Sequence, residues 1–223
     1  MILEGVISVV LALLVQDTLP FEKDPWDGFK VGSWVKLQTT RVGGGEDIKY
    51  TLEEIKPLHK KIVSDPAPPV EEGKDDPSIV KFTPYSKQIE KWELQQSGKG
   101  TETLKFGVKA RVAEYEGSSI RLRVSFSDQV PGGIAKVIYE AAGDKPQKAA
   151  LELDGQEKLK IAGKDVPCVR FRYDYSAGKE SKSESMYWLS GEMPGLLVRF
   201  RAKTTTGKLV TETGVEAVEF EKK

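Results

Sequence analysis

The stretch from Met186 to Phe200 (Met-Tyr-Trp-Leu-Ser-Gly-Glu-Met-Pro-Gly-Leu-Leu-Val-Arg-Phe) recurs in weaker form from Arg123 to Val137. Ser127 matches Ser190, Val130 matches Met193, and Pro131 and Gly132 match Pro194 and Gly195. Upstream, Gly100 to Phe106 echoes Gly155 to Ile161. Both stretches read as one unit: strand, strand, a Ser-x-x-φ-Pro-Gly turn (φ an apolar residue), strand. Proline cannot donate to a sheet ladder and fixes its own backbone angle, and the glycine after it permits a tight reversal. A serine hydroxyl supports such a turn by bonding a nearby N–H. Turn geometry alone therefore accounts for these residues. A serine nucleophile would need a base, and the single histidine, His59, lies far upstream in a Lys-rich segment.

Alternation with a period of two surrounds these turns. Ile120, Leu122, Val124 and Phe126 face one way, and Arg121, Arg123 and Ser125 the other. Val169, Phe171, Tyr173 and Tyr175 alternate in the same manner with Arg170, Arg172 and Asp174. Further strands are expected over Val31–Thr40, Asp47–Ile55, Lys60–Ser64, Ile79–Phe82, Gln88–Gln96, Leu104–Glu116 (with Gly107 as a bulge), Ile134–Ala142, Ala149–Leu153, Met186–Leu189, Leu197–Lys203 and Leu209–Phe220. Asp154-Gly155 reads as a hairpin turn, and Ser176–Ser183 as a loop. No segment past the N-terminus shows helical periodicity. The expected fold is all-β: a large curved antiparallel sheet or open barrel built from two related β units, about 98–150 and 153–213, within one domain spanning 21–223.

Two segments stand apart. Gly5 to Val15 is an uncharged apolar run, too short for a helix that spans a bilayer and suited to the core of a signal peptide. Residues 1–20 are therefore expected to be a signal peptide and lead-in, placing the mature chain in the periplasm or outside the cell without a stable membrane span. A buried N-terminal strand or helix is the alternative. Asp65 to Ser78 carries four prolines and five acidic residues and reads as a surface loop.

Chemistry is sparse. Lys plus Arg and Asp plus Glu number 34 each, so no net charge directs the chain to nucleic acid. Arg on the wet face of a sheet beside 19 aromatics serves solubility more readily than nucleic-acid stacking. One cysteine excludes an intrachain disulfide, and one cysteine with one histidine argues against a structural zinc site. Neither a metal nor a cofactor is expected. Cys168 reads as a small buried residue, or as a thiolate if it shares a face with Arg170 and Arg172.

Trp188 to Phe200 followed by a last strand resembles the end of bacterial exported β proteins related to lipoprotein carriers. Phe29 to Leu37 is similar to the first strand of uncharacterised secreted proteins of that kind. The resemblance implies a half-barrel whose concave face holds acyl chains, although the covering helices of that family have no counterpart in the periodicity here. The function expected is that of an exported, non-enzymatic binding or scaffold protein. Its partner would be a lipid, another apolar ligand or a cell-envelope protein, with Trp34, Trp92, Trp188 and Phe200 as candidate ligand contacts. The alternative is a hydrolase using a carboxylate pair or Cys168.

Overall fold

The computed structural model describes residues 19–40, 45–57, 59–67, 76–178 and 181–223. The apolar run of the expected signal peptide, Gly43 and Gly44, and most of the Pro- and acid-rich loop lie outside the described residues.

Four strands come first: β1 (Trp34–Thr40), β2 (Asp47–Lys56), β3 (His59–Asp65) and β4 (Ile79–Val80). Helix α1 (Tyr85–Glu90) follows. The remaining strands are β5 (Gln95–Thr103), β6 (Lys109–Glu116), β7 (Ile120–Phe126), β8 (Ile134–Ala141), β9 (Gln147–Ile161), β10 (Lys164–Ala177), β11 (Ser181–Leu189), β12 (Leu197–Thr206) and β13 (Leu209–Glu221). Among the described residues they form one 13-stranded sheet in the order β4-β3-β2-β1-β13-β12-β11-β10-β9-β8-β7-β6-β5. Every neighbouring pair is antiparallel. From β5 to β13 the chain is a plain meander. β13 then pairs with β1, and the connection from β4 through α1 to β5 links the two edges. Among the described residues the edges do not pair with each other; the sheet is curved and open, as the sequence led us to expect.

The alternation becomes two unlike faces. On the inner face, Leu153, Phe171, Tyr187, Phe200, Val215 and Thr39 stand side by side on six successive strands. On the outer face the neighbouring row runs Gly155, Arg170, Trp188, Arg199, Glu216, Gln38. Outer-face charges neutralise one another pairwise, as in Lys136–Glu152, Arg172–Asp174 and Lys203–Glu212.

Several expectations change. Tyr85–Glu90 is helical, and the strand expected over Gln88–Gln96 begins only at Gln95. Pro84 leads into the helix, the Gln88 side chain donates to the Thr83 carbonyl at 2.9 Å, and Tyr85 and Ile89, one turn apart, are both buried. A single turn is too short to show a period. Gly107 belongs to the turn between β5 and β6 rather than to a bulge, and Gly98 to Thr103 is strand. Ser176 and Ala177 end β10 and Ser181 opens β11, so the loop expected between them is shorter.

Asp154-Gly155 is not a turn. β9 runs straight through it with a bulge opposite Arg170, and the hairpin turns at Ala162-Gly163. The Arg170 guanidinium bonds Asp154 Oδ2 at 2.8 Å and lies across Gly155, where a Cβ would come within 3.0 Å of it. Beyond the bulge the buried side exchanges. Arg170 points out, yet Val166 and Cys168, of the same parity on β10, are buried with Leu159 and Ile161 in the common core.

Candidate functional site

The two Ser-x-x-φ-Pro-Gly stretches occupy equivalent places. Each joins the third and fourth strand of a four-stranded meander, β5–β8 or β9–β12. In each the serine N–H donates to the carbonyl six residues on, Ser127 to Gly133 and Ser190 to Leu196, both at 2.9 Å. Each hydroxyl accepts from the N–H two residues on, Gln129 or Glu192, at 3.2 Å. Glycine occupies the left-handed region at Gly132 (φ +77°) and Gly195 (φ +76°). At the next position, Gly133 corresponds to Leu196, which holds φ +65° without glycine's freedom.

These turns receive the lead-in. Residues 19–33 contribute Leu19, Phe21, Trp26 and Phe29 to the core. Phe21 lies on Gly132, so close that a Cβ there would sit 2.2 Å from its ring. Trp26 lies on Gly195, where a Cβ would be at 3.3 Å. The Glu22 and Lys23 amides donate to the Gly132 carbonyl at 2.8 and 3.1 Å, and Tyr85 N–H donates to the Phe21 carbonyl at 2.8 Å. Ser86 on α1 bonds the Glu22 carboxylate through its N–H and its hydroxyl, at 3.0 and 2.7 Å. Near the other edge, Lys60 of β3 reaches Asp24 at 2.5 Å and Asp27 at 2.6 Å. Burial pulls the Lys60 ammonium down, and the two carboxylates outweigh it, leaving its pKa above the ordinary value. The lead-in therefore packs into the core with α1 and ties the two Ser-x-x-φ-Pro-Gly turns to β3.

The four candidate contact residues do not converge. Trp34 stands on the outer face, its Nε1 donating to Glu221 at 3.0 Å with the Lys49 ammonium 4.1 Å from the ring centre. Trp92, 43% exposed, follows α1 and meets Tyr85 edge-on, ring centres 6.0 Å apart. Trp188 is buried on the outer face beneath Arg199, with Nε1 donating to Glu157 at 2.8 Å. Phe200 is half-buried on the inner face against Tyr187, ring centres 4.8 Å apart. Trp188 and Phe200 thus occupy adjacent strands and opposite faces.

Reactive groups are held quiet. Burial pushes the Cys168 thiol up to about 11, and the thiol donates to the Val166 carbonyl at 3.3 Å. Each described carboxyl with a displaced pKa is displaced downward. At Glu102, burial opposes this, but bonds from Ser125 and from Arg123 at 3.0 Å win. Among the described residues no cluster of His, Cys, Asp and Glu could hold a metal ion, and no helix is long and apolar enough to cross a membrane.

Open space remains beside the edge strand. Two adjoining cavities of ≈520 and ≈640 Å³ run along the inner face of β5 and β6, bounded across the gap by the lead-in and α1. They share Glu22, Thr101, Arg111 and Phe126. Sequence reasoning missed this groove and the lead-in's anchors. The partners lie far apart in the chain, 36 residues for Asp24–Lys60 and 64 for Glu22–Ser86, and no local pattern links them.

No protein-family model and no curated protein sequence matches the chain. Similar solved structures include the hypothetical lipoprotein YmcC from Escherichia coli, at 13% identity and TM-score 0.34, covering 96% of this chain and 90% of that one. A candidate lipoprotein from Parabacteroides distasonis matches at 9% identity and TM-score 0.37, covering 91% and 99%. A candidate exported protein with YmcC-like fold from Bacteroides fragilis matches at 10% identity and TM-score 0.36, covering 92% and 100%. The resemblance to secreted bacterial β proteins read from the sequence agrees with these matches.

Proposed function

We propose that this protein is an exported, non-enzymatic interaction module, a rigid curved sheet that presents surface to a partner. One observation carries the reading: Phe21, Trp26, Phe29, Tyr85 and Ile89 of the lead-in and α1 are all buried in the protein's own core. The quiet chemistry supports it too. A thiol held at about 11 is no nucleophile near neutral pH, and carboxyls held below their ordinary range suit ion pairs better than general acids. Export rests on the apolar run from Gly5 to Val15. The two meanders with matching turns are read as repeats of one unit.

A second reading, a carrier of an apolar ligand, has room in the groove beside β5, where Phe126 and Tyr115 offer apolar surface. Native mass spectrometry of the protein purified from its own host separates the two. A bare mass is expected; a stoichiometric co-purified lipid would replace the scaffold reading with the carrier. Cell fractionation tests export, and a chain confined to the cytoplasm would refute it.

A further inference from the structure

The edge strand β5 and its groove combine three features that point to one kind of occupant. First, among the described residues β5 has a pairing partner on one side only, so along Gln95–Thr103 half of the backbone donors and acceptors face outward. The strand has no proline. Second, the groove lies directly beside this edge, on the face carrying Lys99, Thr101 and Arg111. Third, its charges are unbalanced. Four cations line it, Lys23, Lys99, Lys109 and Arg111, against three carboxylates: Glu102 pairs with Arg123 and Asp128 with Lys23 at 2.7 Å, while Glu22, bonded by the neutral Ser86, keeps its charge. Lys99 and Lys109 form no ion pair among the described residues, while Arg111 helps to lower the pKa of Asp128. Arg111 also stands 5.9 Å from the centre of the Phe126 ring.

We propose that β5 and this groove form a docking edge for an extended acidic segment of another protein. The segment adds a fourteenth strand to the 13-stranded sheet. Its backbone pairs with β5, and alternate side chains turn into the groove, where carboxylates meet Lys99, Lys109 and Arg111 and an apolar residue meets Phe126 or Tyr115. Backbone pairing supplies affinity that is blind to sequence, and the three cations select the partner. The edge at the other end of the sheet is different, since β4 has only two residues. The proposal specifies the partner of the interaction module and rests on that reading, but its test is separate: a failure here leaves the bare-mass result untouched.

The probe is a fluorescein-labelled ten-residue peptide of alternating Glu and Val, titrated into the full chain with anisotropy as readout, beside an alternating Lys and Val control. The acidic peptide is expected to bind and the basic one not. Raising salt from about 0.05 to 0.5 M should weaken binding about tenfold, because exposed charge contacts are screened. A double variant, Lys99→Glu with Arg111→Glu, should weaken it at least tenfold with an unchanged circular dichroism spectrum. Hydrogen exchange distinguishes edge pairing from loose charge attraction: amides within Gln95–Thr103 must gain protection on binding. Equal binding of both peptides, salt-independent binding, or no protection in β5 would overturn the proposal. So would decanoate binding in place of the peptide, or a dimer of this chain joined through β5.

Discussion

Gly132→Ala tests the idea that the lead-in is part of the fold's core rather than a loose leader. Two costs combine at this position. A residue with a Cβ in the left-handed region loses about 1–2 kcal/mol. The new Cβ would also stand 2.2 Å from Cδ1 and 2.7 Å from Cε1 of Phe21, which is 4% exposed and cannot swing into solvent without leaving the core. Overpacking of this kind costs about 1–3 kcal/mol, so the substitution should destabilise by about 2–5 kcal/mol. For a chain of this length that lowers the melting temperature by about 4–20 °C. Gly195→Ala meets Trp26 only at 3.3 Å and should cost little beyond the backbone strain, about 1–2 kcal/mol. The assay is urea unfolding followed by circular dichroism, run as a cycle with Phe21→Ala. With the ring removed, Gly132→Ala should lose its steric part and retain the strain, giving a coupling of about 1–3 kcal/mol. Additive effects within about 0.5 kcal/mol, or equal costs at Gly132 and Gly195, would refute the reasoning.

Other outcomes follow from the same contacts. Lys60→Met leaves Asp24 and Asp27 without their ammonium and should cost about 1–3 kcal/mol by urea unfolding. The folded pKa of Lys60 is raised, so its contribution persists through neutral pH. It fades only above about 10.4, as pH rises through the folded value, and the variant should lose less stability than the native chain there. Glu102 has the opposite sign. Its folded pKa is lowered, so its contribution is complete above about pH 4.3 and is lost as pH falls through the folded value, and Glu102→Gln should flatten the acid limb of the stability profile. Cys168 should resist a thiol reagent in the native protein at pH 8 and react at once in urea; rapid native labelling would contradict its burial.

The sequence by itself determined what depends on neighbours along the chain. Alternation through Ile120–Phe126 and Val169–Tyr175 set strand and face together, because a strand's side chains take opposite sides in turn. The paired Ser-x-x-φ-Pro-Gly stretches set the turns, because proline and glycine act on their own backbone. Tertiary structure decided whatever joins distant residues. Asp154-Gly155 has the composition of a turn, yet Arg170 on the next strand makes it a bulge. Val166 and Cys168 share the parity of Arg170 and are nevertheless buried in the common core, beyond the bulge. Trp34, Trp92, Trp188 and Phe200 looked alike as aromatic candidates, and register sent them to different faces. The Ser-x-x-φ-Pro-Gly turns were legible as turns, but not as seats for Phe21 and Trp26. A glycine's need for a left-handed backbone is local, whereas the ring that comes to rest on it arrives from more than a hundred residues away.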